Sequence, residues 1–122
     1  MLTILIAEDT PSEMALMRSY LAEEGYNIIT ANTGKEALRK ILSGKPNLVI
    51  TDLVMPEMNG LELCRSLKKN PQTKNLPIIA CTSKNQEIDK MWGMKQGIDI
   101  YLTKPYTKQQ IISAINSFLL PW

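Results

Sequence analysis

Short apolar runs alternate with longer segments of helical period from one end of the chain to the other. Each run is rich in Ile, Leu, Val or Thr and is followed by polar residues, which is typical of β-strands. Because the runs lack the polar alternation of a half-exposed sheet, they predict strands buried on both faces, as in a parallel sheet. The five predicted strands cover residues 3–7, 27–31, 48–52, 78–82 and 98–103.

Helix signals occupy the segments between these runs. The first helix is predicted by Thr10 as a cap, by proline at the first helical position and by Glu13 at the capping-box spacing. Its apolar stripe extends as far as Gly25. The stripe consists of Leu16, Met17, Tyr20 and Leu21.

The second helix begins with the same capping-box spacing, from Thr33 to Glu36, and Gly44 is placed to end it. Its stripe consists of Ala37, Leu38, Ile41 and Leu42. Further helices are predicted over residues 60–69, 86–95 and 107–120. The fourth contains Gly93, at a cost of about 1 kcal/mol relative to alanine. The apolar face of the fifth consists of Ile111, Ile112, Ile115, Phe118 and Leu119.

Five strand–helix repeats with short connections imply right-handed crossovers and helices packed on both faces of the sheet. The sequence therefore predicts one doubly wound α/β domain over residues 1–122, with no second domain, linker or effector domain.

Composition narrows the class of protein. The 14 basic and 12 acidic residues are scattered, and the longest basic block is Lys68-Lys69, so nothing favours nucleic-acid binding. The two cysteines, Cys64 and Cys81, lack metal-site spacing and are expected to be reduced, buried thiols. No apolar run approaches the roughly 20 residues of a membrane helix, and no signal peptide precedes the first strand. We expect a cytoplasmic protein without membrane insertion.

Histidine is absent from the sequence. Its absence excludes Ser-His and Cys-His nucleophilic pairs and imidazole metal ligands. Any chemistry that this chain performs must therefore use carboxylates, hydroxyls, lysine and a hard metal ion.

Polar residues at the ends of the predicted strands are the candidates for that chemistry, because doubly wound folds bind ligands at the carboxyl edge of the sheet. They are Glu8, Asp9, Asp52, Thr82 and Lys104. If the first and third strands are neighbours, each pair of carboxylates at 4 Å would cost about 4 kcal/mol at an effective dielectric of 20. Mg2+, which prefers oxygen ligands, would offset that repulsion.

A metal-flanked carboxylate near a lysine and a hydroxyl is suited to phosphoryl transfer onto an aspartate. Asp52 is the expected acceptor because it ends the central apolar run. Alone, each residue has a simpler interpretation: a strand-end aspartate is usually a cap or turn former, and a Lys-Pro pair is usually a loop. Their joint placement after four strands favours a site.

Motifs along essentially the whole chain resemble the receiver domain family of response regulators in two-component systems. They are Ile4-Leu5-Ile6-Ala7-Glu8-Asp9, Leu48-Val49-Ile50-Thr51-Asp52-Leu53-Val54-Met55-Pro56, Asn59-Gly60, Ile78-Ile79-Ala80-Cys81-Thr82-Ser83 and Tyr101-Leu102-Thr103-Lys104-Pro105. The resemblance implies a flavodoxin-like, CheY-like fold with a five-stranded parallel sheet of order 2-1-3-4-5.

The same resemblance implies roles for individual residues. A histidine kinase would phosphorylate Asp52, with Mg2+ held by Asp9, Asp52 and the carbonyl of Val54, and with Glu8 assisting through water. Lys104 would pair with the acyl phosphate, and its bond to Pro105 would be cis. Thr82 and Tyr101 would form a switch pair, the hydroxyl moving toward the phosphate and the ring moving inward.

A narrower similarity is to stand-alone regulators of type IV pilus motility and phototaxis, of the PilH type. It rests on residues 11–14, 82–84 and 89–97. Trp92, which lies in the last of these segments, could equally be a core or helix-facing residue with no partner at all. Glu8 departs from the commoner aspartate, Ser83 from alanine beside the switch threonine, and Ile98 from alanine after the glycine. The Ser83 departure leaves the rates of transfer and hydrolysis open.

The leading hypothesis is a phosphorylation switch that contacts a protein target through the fourth helix, fifth strand and fifth helix, with only self-phosphotransfer and self-dephosphorylation chemistry. A second hypothesis is a receiver-like docking module that ignores phosphorylation, against which Asp9, Asp52, Thr82 and Lys104 argue. A third is a hydrolase of the haloacid dehalogenase type. That class requires an aspartate two positions after the nucleophile, where Val54 stands.

Overall fold

A computed structural model describes residues 2–119, except the side chain of Leu119. The strands are β1 (Thr3–Ala7), β2 (Asn27–Ala31), β3 (Leu48–Thr51), β4 (Ile78–Thr82) and β5 (Ile100–Thr103). The helices are α1 (Pro11–Leu21), α2 (Gly34–Gly44), α3 (Gly60–Lys69), α4 (Glu87–Lys95) and α5 (Lys108–Leu119). The predicted end of the fifth helix at Leu120 and the burial of Leu119 lie outside the described part.

The strands form one parallel sheet in the order β2-β1-β3-β4-β5, which confirms the predicted fold class. In the central register, Ala7 lies opposite Thr51, and Thr51 lies opposite Ala80. The strand order reverses between β1 and β3, so the residues that follow these two strands meet at the switch point where doubly wound folds bind ligands.

Alternate residues of the strands face two apolar layers. Ile4 and Ile6 of β1 pack with α1 and α5, whereas Leu5 and Ala7 pack with α2 and α3. The three central strands are almost wholly buried, but β2 and β5 at the edges are only partly buried. The prediction that all five strands are buried on both faces is therefore wrong for the edges, where no neighbouring strand covers one side.

Two predicted strands are shorter in the structure. β3 ends at Thr51, and Asp52 begins the loop. β5 begins only at Ile100 because Gly97 and Ile98 complete the end of α4: Gly97 has φ 103°, and the N–H of Ile98 donates to the carbonyl of Gly93. Ile98 is still buried, as its apolar character predicts.

The first two helices depart from prediction at their ends and on one face. α1 stops at Leu21 and is followed by a 3-10 turn (Ala22–Glu24), which Gly25 ends with φ 77°. At α2 the left-handed residue is Lys45 rather than Gly44. The apolar stripes are wider than the core, because Leu16 and Leu42 are each 39% exposed.

Gly93 has a packing role in α4. A Cβ atom there would lie 3.1 Å from both Cδ1 of Ile98 and Cε2 of Tyr101, so glycine allows the aromatic ring to approach the helix closely. Trp92 is 53% exposed and lies beneath the Lys95 ammonium, so it is not a core residue.

Cys64 and Cys81 are free and buried, as predicted, and burial raises their pKa values to about 11 and about 12. Within residues 2–119, the helices are too short or too polar to cross a bilayer.

Candidate functional site

Asp52 stands at the carboxyl end of the central strand, held by its own backbone. Its N–H donates to the carbonyl of Ala7 at 3.0 Å, which extends the pairing of β1 and β3 by one residue. Oδ1 accepts hydrogen bonds from the N–H groups of Leu53 at 2.6 Å and Val54 at 3.2 Å. The carboxylate is therefore fixed on one side, and its Oδ2 atom is left for other partners.

Lys104 supplies the cation next to Asp52. Its N–H donates to the carbonyl of Thr82 at 2.8 Å, which sets the residue at the end of β5, and its bond to Pro105 is cis, as the resemblance implied. The ammonium lies 2.8 Å from Oδ2 of Asp52 and 2.7 Å from Oε1 of Glu8. Burial lowers the pKa of Lys104, but the hydrogen bonds to the two carboxylates raise it by more, so the pKa lies above its usual range. Lys104 stays protonated at neutral pH.

Glu8 and Asp9 occupy different environments although they are adjacent. Glu8 is 6% exposed, and its Oε2 accepts from the N–H of Thr10 at 3.2 Å. Burial raises its pKa in spite of the hydrogen bond from Lys104, which lowers it. Asp9 is exposed and lines the open cleft. The pair thus offers one carboxylate committed to Lys104 and one that faces solvent.

A cleft of about 540 Å3 opens over these residues. It is lined by Asp9, Thr10, Glu13, Leu16, Asp52, Val54, Ser83, Lys104, Pro105 and Tyr106. Within the described residues, no three Asp, Glu, Cys or His side chains converge closely enough to ligate a metal on their own. Asp9, Asp52 and Val54 nevertheless line one cleft, and hard oxygen donors with room for water suit Mg2+, which is usually bound by one or two carboxylates. The residues present fit that ion.

The expected switch residues lie on neighbouring strands beside the cleft. Thr82 is fully buried at the end of β4, and its Oγ1 accepts from the N–H of Lys84 at 3.4 Å. Tyr101 of β5 is half-buried, and its hydroxyl donates to the carbonyl of Lys84 at 2.6 Å. Burial raises the pKa of Tyr101 to about 12. Both side chains therefore contact the loop between β4 and α4.

The predicted capping box at the start of α1 is wrong. Thr10 is the N-cap, but its side chain accepts no capping hydrogen bond. Glu13 instead extends toward the cleft, with Oε2 3.7 Å from Nζ of Lys104. At α2, Thr33 does cap the N–H of Glu36, whose carboxylate pairs with Lys40.

Glu13 is a cleft residue that the sequence interpretation assigned to another role. The available signal was its spacing: Glu13 comes four residues after Asp9, just inside a helix that starts at the cleft. Tyr106, buried against Tyr20 and Met17, was also missed; it follows the Lys104-Pro105 pair directly.

Residues 4–116 match the family described as the response regulator receiver domain. The chain belongs to this family. Over 98% of its length, this receiver domain is 38% identical to the protein PilH of Pseudomonas aeruginosa, and the match covers 98% of PilH. The chemotaxis response regulator CheY4 of Vibrio cholerae is 27% identical, with a TM-score of 0.89 over 96% of this chain and 98% of that chain.

Receiver domains are signalling modules of two-component systems; phosphorylation by histidine kinases and Mg2+ binding are general for the family. One solved structure with the same fold is the receiver domain of the sensor histidine kinase PA1611 of Pseudomonas aeruginosa. It has a TM-score of 0.90 at 22% identity over 97% of each chain, and it holds a magnesium ion coordinated in its active site cleft.

Proposed function

We propose that this receiver domain is a phosphorylation switch in which Asp52 accepts a phosphoryl group from a histidine kinase in a Mg2+-dependent reaction. The observation that carries the proposal is the Lys104 ammonium, which lies 2.8 Å from Oδ2 of Asp52 beside an open cleft that Asp9 and Val54 also line. A nucleophilic carboxylate, a fixed cation and oxygen donors for a metal are the parts that phosphoryl transfer to aspartate needs.

In the transfer step, a carboxylate oxygen of Asp52 attacks phosphorus and forms the new O–P bond. The P–N bond of the kinase phosphohistidine breaks, and its electron pair stays on the imidazole nitrogen. The N–H groups of Leu53 and Val54 hold Oδ1 in place, and Lys104 compensates the charge of the transferring group.

Mg2+, when bound, supplies further positive charge beside the phosphoryl oxygens. The residues that would hold it are Asp9, Asp52 and the carbonyl of Val54, with Glu8 assisting through water.

The switch is proposed to run through Thr82 and Tyr101. The Thr82 hydroxyl, which accepts a long 3.4 Å hydrogen bond from the N–H of Lys84, would turn toward the phosphoryl group. Tyr101 would then give up the carbonyl of Lys84 and move inward, changing the surface of α4, β5 and α5. Four large apolar side chains exposed on α4 support a protein target there: Ile88, Met91, Trp92 and Met94.

The similarity to PilH over almost the full length of both chains supports a role in type IV pilus motility or phototaxis as a regulator that acts by protein contact.

The direct test is to incubate the protein with acetyl phosphate and Mg2+. We expect one hydroxylamine-labile phosphoryl group in the wild type and none in Asp52→Asn, measured by intact mass. Asp99→Asn is the matched control, because Asp99 lies at the amino-terminal ends of the strands, away from the cleft. Its carboxylate accepts a hydrogen bond there from the N–H of Ile78 at the start of β4. Labelling of Asp52→Asn at the wild-type level would remove Asp52 as the acceptor.

A further inference from the structure

Glu13 occupies a position in the cleft that helix capping does not explain. It stands in the first turn of α1, where the sequence pattern assigns it to a capping box, but Thr10 makes no side-chain capping hydrogen bond. Its carboxylate lies with Oε2 3.7 Å from Nζ of Lys104 and lines the cleft together with Asp9 and Asp52. The start of α1 thus brings one more carboxylate to the acceptor site.

The three carboxylates around Lys104 are not equivalent. The ammonium has three hydrogens to donate. Two partners are at hydrogen-bond distance, Glu8 at 2.7 Å and Asp52 at 2.8 Å, whereas Glu13 lies just beyond it. The side chain of Glu8 is 7% exposed and that of Glu13 is 35% exposed, so Lys104 lies between a buried partner and one at the rim.

The position of Glu13 matters when Asp52 gains a phosphoryl group. The incoming group is anionic and needs the same ammonium, so a carboxylate already next to Lys104 competes with it. Because Glu13 is partly exposed, solvent and salt screen this competition, and its effect is that of a surface ion pair rather than a buried one.

We propose that Glu13 is a positioning residue that restrains phosphorylation of Asp52 by competing, from the rim of the cleft, with the phosphoryl group for the Lys104 ammonium. The inference rests on the proposed function, since it needs Asp52 to be the acceptor. Loss of the Glu13 charge removes one competitor for the Lys104 ammonium, which speeds transfer and strengthens the binding of a phosphoryl mimic.

The first experiment measures the initial rate of Asp52 phosphorylation by acetyl phosphate at saturating Mg2+, with Mg2+ affinity determined separately by calorimetry. Glu13→Gln should react about three to five times faster than wild type and bind beryllofluoride more tightly by a similar factor. Glu24→Gln is the matched control, because it makes the same charge change in the 3-10 turn that follows α1, whereas the cleft lies at the start of that helix. An unchanged rate and unchanged beryllofluoride affinity in Glu13→Gln would overturn the inference.

The second experiment asks whether Glu13 acts through Lys104 or repels the donor directly. In a Lys104→Ala background, Glu13→Gln should no longer increase the affinity for beryllofluoride, because the ammonium for which Glu13 and the mimic compete is absent. A gain of equal size in both backgrounds would assign Glu13 to direct repulsion and overturn the positioning role. Failure of the wild type to label at Asp52 would instead contradict the proposed function, so the two failures are distinct.

Discussion

At the scale of single residues, Gly60 allows the start of α3 to pack closely against the backbone of Asp52, the proposed acceptor. Gly60 begins α3, and its N–H donates to the carbonyl of Leu53 at 3.0 Å. A Cβ atom at this position would overlap the carbonyl oxygen of Asp52 and lie 2.8 Å from Cα of Leu53. These neighbours are backbone atoms that cannot rotate away, so the absence of a side chain lets the loop after β3 fold against α3.

Gly60→Ala is therefore expected to displace the backbone of Asp52 and slow its phosphorylation by acetyl phosphate at least about tenfold, since small misplacements of reacting groups cost about 10²-fold. The control is Gly44→Ala at the end of α2, where the added Cβ would meet only Cδ1 of Ile29 at 3.0 Å. Circular dichroism should show both variants folded at the assay temperature. A wild-type rate in folded Gly60→Ala would contradict the expectation.

The residue scale also shows what the sequence could predict of the site. Asp52, Asp9 and Lys104 follow strands, and the parallel sheet brings the ends of its strands together whatever the rotamers are. Glu13 was assigned wrongly because its side chain has two possible partners, the backbone before α1 and the ammonium of Lys104. The choice between them depends on a residue 91 positions away in the sequence, which local spacing does not contain.

At the scale of elements, the apolar runs and capping signals predicted every strand and α-helix in residues 2–119 but not the 3-10 turn after α1, and the other errors lie mainly at the ends. The errors have local causes that periodicity does not report. Ile98 is as apolar as a strand residue, but it follows a left-handed glycine and bonds back to α4. Gly93 is unfavourable for a helix by propensity, but the structure shows that it gives the ring of Tyr101 room to pack against α4.

Tyr101 ties two elements together through the loop from β4 to α4. Tyr101→Phe removes the hydrogen bond to the carbonyl of Lys84 and should destabilise the fold by only about 1 kcal/mol. The expected signature is faster amide hydrogen exchange over residues 83–86, with little change at the start of β2. Tyr26→Phe, at the opposite edge of the sheet, should leave that loop unchanged. Equal exchange in Tyr101→Phe and wild type would show that the hydroxyl does not hold the loop.

At the scale of the whole molecule, charge is distributed unevenly: the formal net charge is +2, but acidic side chains cluster at the candidate site. The carboxylates of Asp9, Glu13 and Asp52 line the cleft, and Lys104 lies within 4 Å of Glu13, Asp52 and the buried Glu8. Lys104 compensates only part of this negative charge, and the remaining repulsion opposes folding in the absence of a further cation. A divalent cation that binds only the native state relieves this repulsion and stabilises the whole domain.

Mg2+ should therefore raise the Tm. At a concentration 100 times the Kd, binding contributes about 2.7 kcal/mol, which shifts the Tm of a domain of this size by about 5–15 °C. Asp9→Asn should lose most of the shift yet fold normally, because Asp9 is exposed at the cleft and lies outside the ion pairs of Lys104. Differential scanning calorimetry with and without Mg2+ measures the Tm shifts of the wild type and of Asp9→Asn. The control Asp99→Asn should keep the full shift, because Asp99 lies at the amino-terminal ends of the strands, away from the cleft. An equal shift in Asp9→Asn would mean that the ion binds elsewhere, and the magnesium site at residues 9, 52 and 54 would then be wrong even if Asp52 is phosphorylated.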